Sequence, residues 1–291
     1  MPQKSFVTPI RVMTEGDLPS GMRLNTIAGW NQTEADWRRF LESSPVGCFV
    51  VEVAGQVAGT VATICYENRF AWIGMVLVDP DFRNRGLGTH LLHKAIEHLD
   101  QLGLATMKLD ATSLGKPLYS KLGFVSEYEI ERWMLKRPAV RQSPRPASPY
   151  PSLDELQMER ICELDRGLFG ADRSSLLHSL HQYAPELTCA VWKEGALRGY
   201  AFGRKGLFAD HLCPCAANDP ETAEELLQSF LRRSSRETII VDRLQSNLAF
   251  HNSLTNAGFL YSRPLTRMVR GPNSHPGRPE LICAILGPEF G

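Results

Sequence analysis

The stretch MVLVDPDFRNRGLGTHLL holds Arg83, Asn84, Arg85, Gly86, Leu87, Gly88 and Thr89, an R-x-x-G-x-G spacing between an apolar run and the start of an amphipathic pattern. Residues of these types in this order suit a pyrophosphate. Such a group needs several backbone N–H groups converging on it at a helix N-terminus, where the helix dipole also favours negative charge. Gly86 and Gly88 let the backbone come close, Thr89 adds a hydroxyl, and Arg83 or Arg85 adds charge. Two other phosphate loops fit less well. A Walker A loop requires Lys-Ser/Thr after its last glycine, and none follows Gly88. A dinucleotide fingerprint requires a third glycine where Leu91 stands, and the charged loop DPDFRNR separates strand from helix, although Asp110 falls about 20 residues on. A glycine-bearing helix start with surface arginines is the plain alternative, and a second motif weighs against it.

That motif is LYSKLGF, about 35 residues further on. Together the two resemble the acetyl-CoA signature of the GNAT acyltransferase superfamily, over roughly Pro9 to Leu135. The resemblance implies acetyl-CoA as co-substrate, with its pantetheine arm lying against Val76, Leu77 and Val78 like an added strand. It implies transfer of the acetyl group to a primary amine by direct attack in a ternary complex without a metal; the resemblance does not specify the acceptor, and a small-molecule amine is the expectation. It also implies that Tyr119, four residues before Gly123, protonates the departing thiolate. A phenol with a pKa of about 10 stays protonated at neutral pH and can donate to a thiolate whose conjugate acid lies near about 8.5. In this family the region of Trp30 and Asn31 walls the acceptor site.

The sequence departs from the family where an asparagine often precedes the second motif; Asp110, Thr112 and Gly115 stand there instead. Asp110 and Glu67 are the carboxylates available as general base, Glu67 on the acceptor side, and each reads equally well as a strand-end cap or a solvated charge. A non-catalytic acyl-CoA-binding or regulatory module would keep the phosphate loop without needing Tyr119. A protein or tRNA amine is the other acceptor class.

The elements that must position these residues are legible around them. VGCFVVEV and QVAGTVATIC flank Ala54-Gly55 and predict a β-hairpin, with a third strand at about 71–78. From Leu87, the residues Leu91, Leu92, Ala95, Ile96, Leu99 and Leu102 recur at helical spacing up to a capping Gly103. A strand at 105–110, a short helix at 116–122 and a strand at 124–135 complete a strand–helix–strand unit with its ligand crevice at the strands' carboxyl ends. Thr33 predicts a helix N-cap with Asp36 as its capping-box partner, and Trp37 falls inside that helix as core.

Five prolines in PAVRQSPRPASPYP mark 138–152 as a linker between a CoA-binding GNAT domain, 1–137, and a GNAT-like domain, 153–291. The second half repeats the plan: a hairpin at Glu194-Gly195, a strand near 209–216, a helix opened by Asp219-Pro220, a strand at 238–242, and NLAFHNSLTNAGF in parallel with KPLYSKLGF. Leu254 then stands where Tyr119 does, and ANDPETAEELL replaces the Arg/Gly loop, so this copy is expected to lack a CoA site. The fold class is α/β with a mixed sheet: tandem GNAT-like folds, each a mostly antiparallel sheet around a central strand–helix–strand unit. The first half runs from Leu135 into the linker without a further strand, leaving a sheet edge that the second copy could cover.

With 32 basic and 32 acidic residues the net charge is zero, so no global field favours nucleic acid. No window approaches the roughly 20 apolar residues of a membrane span, and no signal peptide is evident, which predicts a cytoplasmic protein. Seven dispersed cysteines predict reduced thiols. His211, Cys213 and Cys215 alternate along a predicted strand, which places them on one face as packing rather than a metal site.

Overall fold

The computed structural model describes residues 9–138 and 153–291; the expected linker beyond Pro138 lies outside the described residues. The chain divides into two compact units, one ending at Met107 and the other beginning at Lys108.

In the first unit, β1 (Ile10–Val12) is followed by α1 (Leu18–Ile27), α2 (Glu34–Ser43), β2 (Cys48–Val53), β3 (Gln56–Tyr66), β4 (Phe70–Val78) and α3 (Leu87–Gln101). The strands lie in the order β1-β2-β3-β4, all antiparallel. Ala54 and Gly55, at φ 52° and 79°, make the tight turn expected between β2 and β3. Five of the six expected apolar residues of α3 are buried together with Leu87, and the helix packs on β2, β3 and β4; the sixth, Leu102, falls at the C-cap, where the helix ends, and is exposed. Gly103 ends it at φ 76°, where the Leu104 N–H closes back on the Leu99 carbonyl. The Thr33/Asp36 capping box forms as expected, and Trp37 is fully buried.

The second unit contains β5 (Met107–Ala111), α4 (Lys116–Lys121), β6 (Val125–Lys136), α5 (Glu155–Phe169), α6 (Ser174–Tyr183), β7 (Cys189–Lys193), β8 (Ala196–Lys205), β9 (Asp210–Ala217), α7 (Pro220–Arg233), β10 (Thr238–Leu244), α8 (Leu248–Asn256), β11 (Leu260–Arg270) and β12 (Ile282–Ala284). Its strand order is β5-β11-β6-β10-β12-β9-β8-β7, with a parallel pairing of β10 to β9 as well. β6, the last strand of the first sequence half, therefore runs between two strands of the second half, antiparallel to both. Arg132 of β6 grips Asp242 of β10 through two hydrogen bonds of 2.7 and 2.6 Å, fixing that register.

The two halves repeat local geometry as well as pattern. Glu194 and Gly195 turn at φ 53° and 76°, matching Ala54 and Gly55. A Cβ on Gly59 would meet the Leu77 carbonyl at 2.8 Å, and one on Gly199 would meet the Ala216 carbonyl at 2.6 Å, so both hairpins keep a glycine where the next strand passes closest. Gly123 and Gly258 both stand at φ 86°, with Phe124 N–H donating to Tyr119 and Phe259 N–H to Leu254 at 3.1 and 3.0 Å.

One expectation on β9 is corrected. The β8–β9 register shifts between Ala201 and Gly203, which reverses the alternation. Leu212, Cys215 and Ala217 share the apolar core, while His211 accepts from Arg204 at 3.2 Å and lies 3.3 Å from Asp242. Among the described residues no helix is long and apolar enough to cross a membrane.

Candidate functional site

β4 ends at Val78, and the chain turns at once. Asp79 donates its N–H to Ala58 and accepts from Asp81 N–H at 3.1 Å, which caps the short turn Pro80–Phe82. The buried Asp79 carboxylate also accepts from Arg23 of α1, whose other nitrogen reaches the Val57 carbonyl at 2.8 Å. That contact ties α1 to the root of the loop and holds the Asp79 carboxyl below its ordinary value. It had no signature in the sequence, because 56 residues separate its partners.

From Arg83 to Gly86 the loop is exposed. Arg83 Nε donates to the Val78 carbonyl at 3.1 Å, and Arg85 donates to Asp81 O at 3.0 Å while stacking on Phe82. Both guanidiniums are thereby held against the loop with donors to spare. Gly86 is the N-cap of α3 at φ 79°, and no side chain caps the helix. The N–H groups of Leu87, Gly88 and Thr89, in the first turn, have no intrahelical acceptor by geometry. A Cβ on Gly86 would meet nothing within 4 Å, and one on Gly88 would meet only Val78 at 3.6 Å. The result is an uncapped, positively polarised helix end with two arginines beside it, which can hold a polyanion.

α7 shows the contrast. Its N-cap Asp219 accepts from Thr222 N–H at 2.7 Å and from Arg198 at 2.9 Å, so its own carboxylate occupies the amides that α3 leaves open.

Val76 lies in a β-bulge and Leu77 and Val78 follow it: Leu77 pairs with Thr60 and Gly74 with Ala62, so Met75 and Val76 together oppose Val61. Met75 takes φ 52°, and its carbonyl accepts from the Thr60 hydroxyl at 2.8 Å. The bulge left no sequence signal, since Met75 is a residue for which left-handed backbone is unusual.

The acceptor-side expectations fare differently. Trp30, half-buried, and Asn31, buried, lie between α1 and α2, where Asn25 secures the connection by donating to the Gln32 carbonyl at 2.7 Å. Glu67 sits in the β3–β4 turn, paired with Arg69 at 3.2 Å. All nine residues of β4 separate it from the loop, roughly 30 Å of extended chain. The structure does not bring Glu67 together with Arg83 to Thr89.

Tyr119 and Asp110 belong to the second unit. Tyr119 lies on α4, edge-on to Phe124 at 6.2 Å, and burial pushes its phenol up to about 12. Its hydroxyl has no hydrogen-bond partner among the described residues. Asp110 is fully buried at its carboxylate, and both oxygens accept from Arg267 of β11 at 2.9 Å. Burial raises its carboxyl above the ordinary value and the guanidinium opposes that rise. Asp110 is thus an ion-pair partner first; a base role requires Arg267 to release it. Among the described residues no three metal-ligating side chains converge.

The model of the acetyltransferase (GNAT) family matches residues 21–124, and that of the acetyltransferase (GNAT) domain matches residues 161–284. The chain is a GNAT acetyltransferase with tandem domains. The uncharacterized N-acetyltransferase YitH of Bacillus subtilis is 24% identical over 71% of this chain and 72% of its own length. N-alpha-acetyltransferase 30 of Xenopus laevis is 31% identical over 34% of this chain and 39% of its own length. A crystal structure of a candidate acetyltransferase from Pyrococcus horikoshii superposes with a TM-score of 0.80 at 21% identity, covering 100% of this chain and 99% of that one, which shows the fold. For this GNAT acetyltransferase the open end of α3 falls inside the first matched segment and the self-capped end of α7 inside the second.

Proposed function

We propose that the loop from Arg83 to Thr89 binds the pyrophosphate of acetyl-CoA and that the first sequence copy, 1–137, transfers the acetyl group to a primary amine. The observation that carries this reading is the uncapped N-terminus of α3, with a glycine at its N-cap and unpaired first-turn amides. The pantetheine arm runs along Val76 to Val78, and backbone N–H groups near Leu77 polarise the thioester carbonyl. The amine nitrogen attacks the carbonyl carbon, the C–N bond forms and the C–S bond breaks. Tyr119, protonated across the neutral range, gives its proton to the leaving thiolate. The amine's proton leaves through water, because Arg267 holds both oxygens of Asp110.

The second copy, 153–291, carries no CoA, since Asp219 fills the corresponding helix end with its own carboxylate. The acceptor is a small-molecule amine, and the protein works in the cytoplasm. The similarity to an N-alpha-acetyltransferase is the reason to test peptide N-termini beside it.

Calorimetry with CoA, acetyl-CoA and NADH tests the donor site: CoA binding without NADH binding is expected, and the reverse overturns the reading. A panel of diamines, amino sugars, amino acids and short peptides, read by free CoA release, then identifies the acceptor. Turnover confined to peptide N-termini would replace the small-molecule acceptor with a protein one.

A further inference from the structure

α4 carries Tyr119 yet has little of its own to hold it in place. It is six residues long, has no side-chain N-cap and buries no residue fully. A helix of that length does not persist without tertiary ties. One tie is at its first residue. The Lys116 ammonium donates to Glu129 of β6 at 3.2 Å and to the Thr266 hydroxyl of β11 at 3.0 Å. Thr266 in turn donates to the other Glu129 oxygen at 2.7 Å, and the two residues are direct partners across the β6–β11 ladder. The Lys116–Glu129 pair alone would hold α4 weakly, because its side chains are 38% and 40% exposed. Thr266 is buried, at 5% exposure, and its hydroxyl both accepts and donates, so it directs the ammonium to one place on the sheet.

We propose that Thr266, from the second sequence copy, is a positioning residue for acyl transfer: through Lys116 it fixes α4, and with it the Tyr119 hydroxyl. The proposal rests on the reading of Tyr119 as proton donor. It gives the second copy a part in the chemistry of the first without a CoA site of its own.

The test compares Thr266→Val, which keeps the side-chain shape and loses the hydroxyl, with Thr266→Ser, which keeps the hydroxyl, and with Tyr119→Phe, all in the full chain. Turnover is measured with the best amine from the acceptor panel, and amide hydrogen exchange is followed along the chain. If the proposal holds, Thr266→Val lowers kcat roughly tenfold with KM for acetyl-CoA unchanged. Exchange then quickens several-fold within 116–122 and stays the same elsewhere, and Thr266→Ser restores both. The proposal is overturned, with the proton-donor reading intact, if Tyr119→Phe cripples turnover while Thr266→Val does not, or if Thr266→Ser is as impaired as Thr266→Val. A general rise in exchange with no change local to α4 also overturns it, as a loss of stability only. Full turnover in Tyr119→Phe defeats the proton-donor reading and the positioning role together.

Discussion

Gly86 faces open space in front of the α3 amides, at a φ of 79° that side-chain-bearing residues adopt at a cost of about 1–2 kcal/mol. Gly86→Val is expected to weaken CoA binding by about tenfold or more, from backbone strain and from methyl groups placed where phosphate must approach. Calorimetry reads it, and wild-type affinity would remove Gly86 from the cradle. Tyr119 answers to chemistry rather than binding. Tyr119→Phe should leave the Kd for acetyl-CoA near wild type and lower kcat by about 10²–10⁴-fold. Because burial pushes the phenol up to about 12, the group stays protonated as pH rises through the range of ordinary assays. The wild-type enzyme should therefore show no loss of kcat attributable to Tyr119 below about pH 10. An alkaline limb near pH 8 that vanishes in Tyr119→Phe would contradict that protonation state.

At the scale of elements, the loop root depends on a pair between a helix and a strand end, Arg23 of α1 and Asp79 just after β4. The Asp79 carboxyl is held below its ordinary value chiefly by Arg23, so its contribution to stability is complete above the unfolded carboxylate pKa, about 4, and is lost as pH falls below it. Arg23 is 36% exposed at its side chain, which limits the effect to about 1 kcal/mol. Urea midpoints should fall between pH 5 and pH 3, and Asp79→Asn should flatten that fall by the same amount; parallel curves would show that the pair contributes nothing. α3 and α7 illustrate how one residue at an N-cap decides what a helix end can do. Gly86 leaves the amides open to a ligand, whereas Asp219 satisfies them internally. Calorimetric stoichiometry should accordingly be one CoA per chain. Two equivalent sites would refute the assignment of α7 as closed.

For the whole molecule, the position of β6 matters most. It is sandwiched between β10 and β11, with Arg132–Asp242 and Glu131–Arg243 pairs crossing to β10. A fragment ending at about Arg137 would expose both edges of β6 and leave the buried Asp110 carboxylate without Arg267. Stranding one member of a buried pair costs about 3–5 kcal/mol, a large share of a domain's stability. The fragment is expected to aggregate or to lose cooperative unfolding in circular dichroism. A soluble, folded fragment as active as the full chain would mean that the second half contributes nothing to the first.

The sequence by itself determined whatever depends on neighbours along the chain. Strand alternation, the α3 apolar spacing, the Thr33/Asp36 box and the glycines at 55, 86, 103 and 123 are local patterns, and local backbone physics suffices to read them; the parallel between KPLYSKLGF and NLAFHNSLTNAGF needs only the chain laid beside itself. The tertiary structure alone decided which strands share a sheet and which charges meet. β11 between β5 and β6, Arg267 on Asp110, Thr266 on Lys116 and Arg23 on Asp79 join residues 56 to 157 positions apart, and no periodicity encodes such pairings. The same limit explains His211: a single register shift in β9, set by its pairing with β8, moved Cys215 to the opposite face from the one that simple alternation assigns.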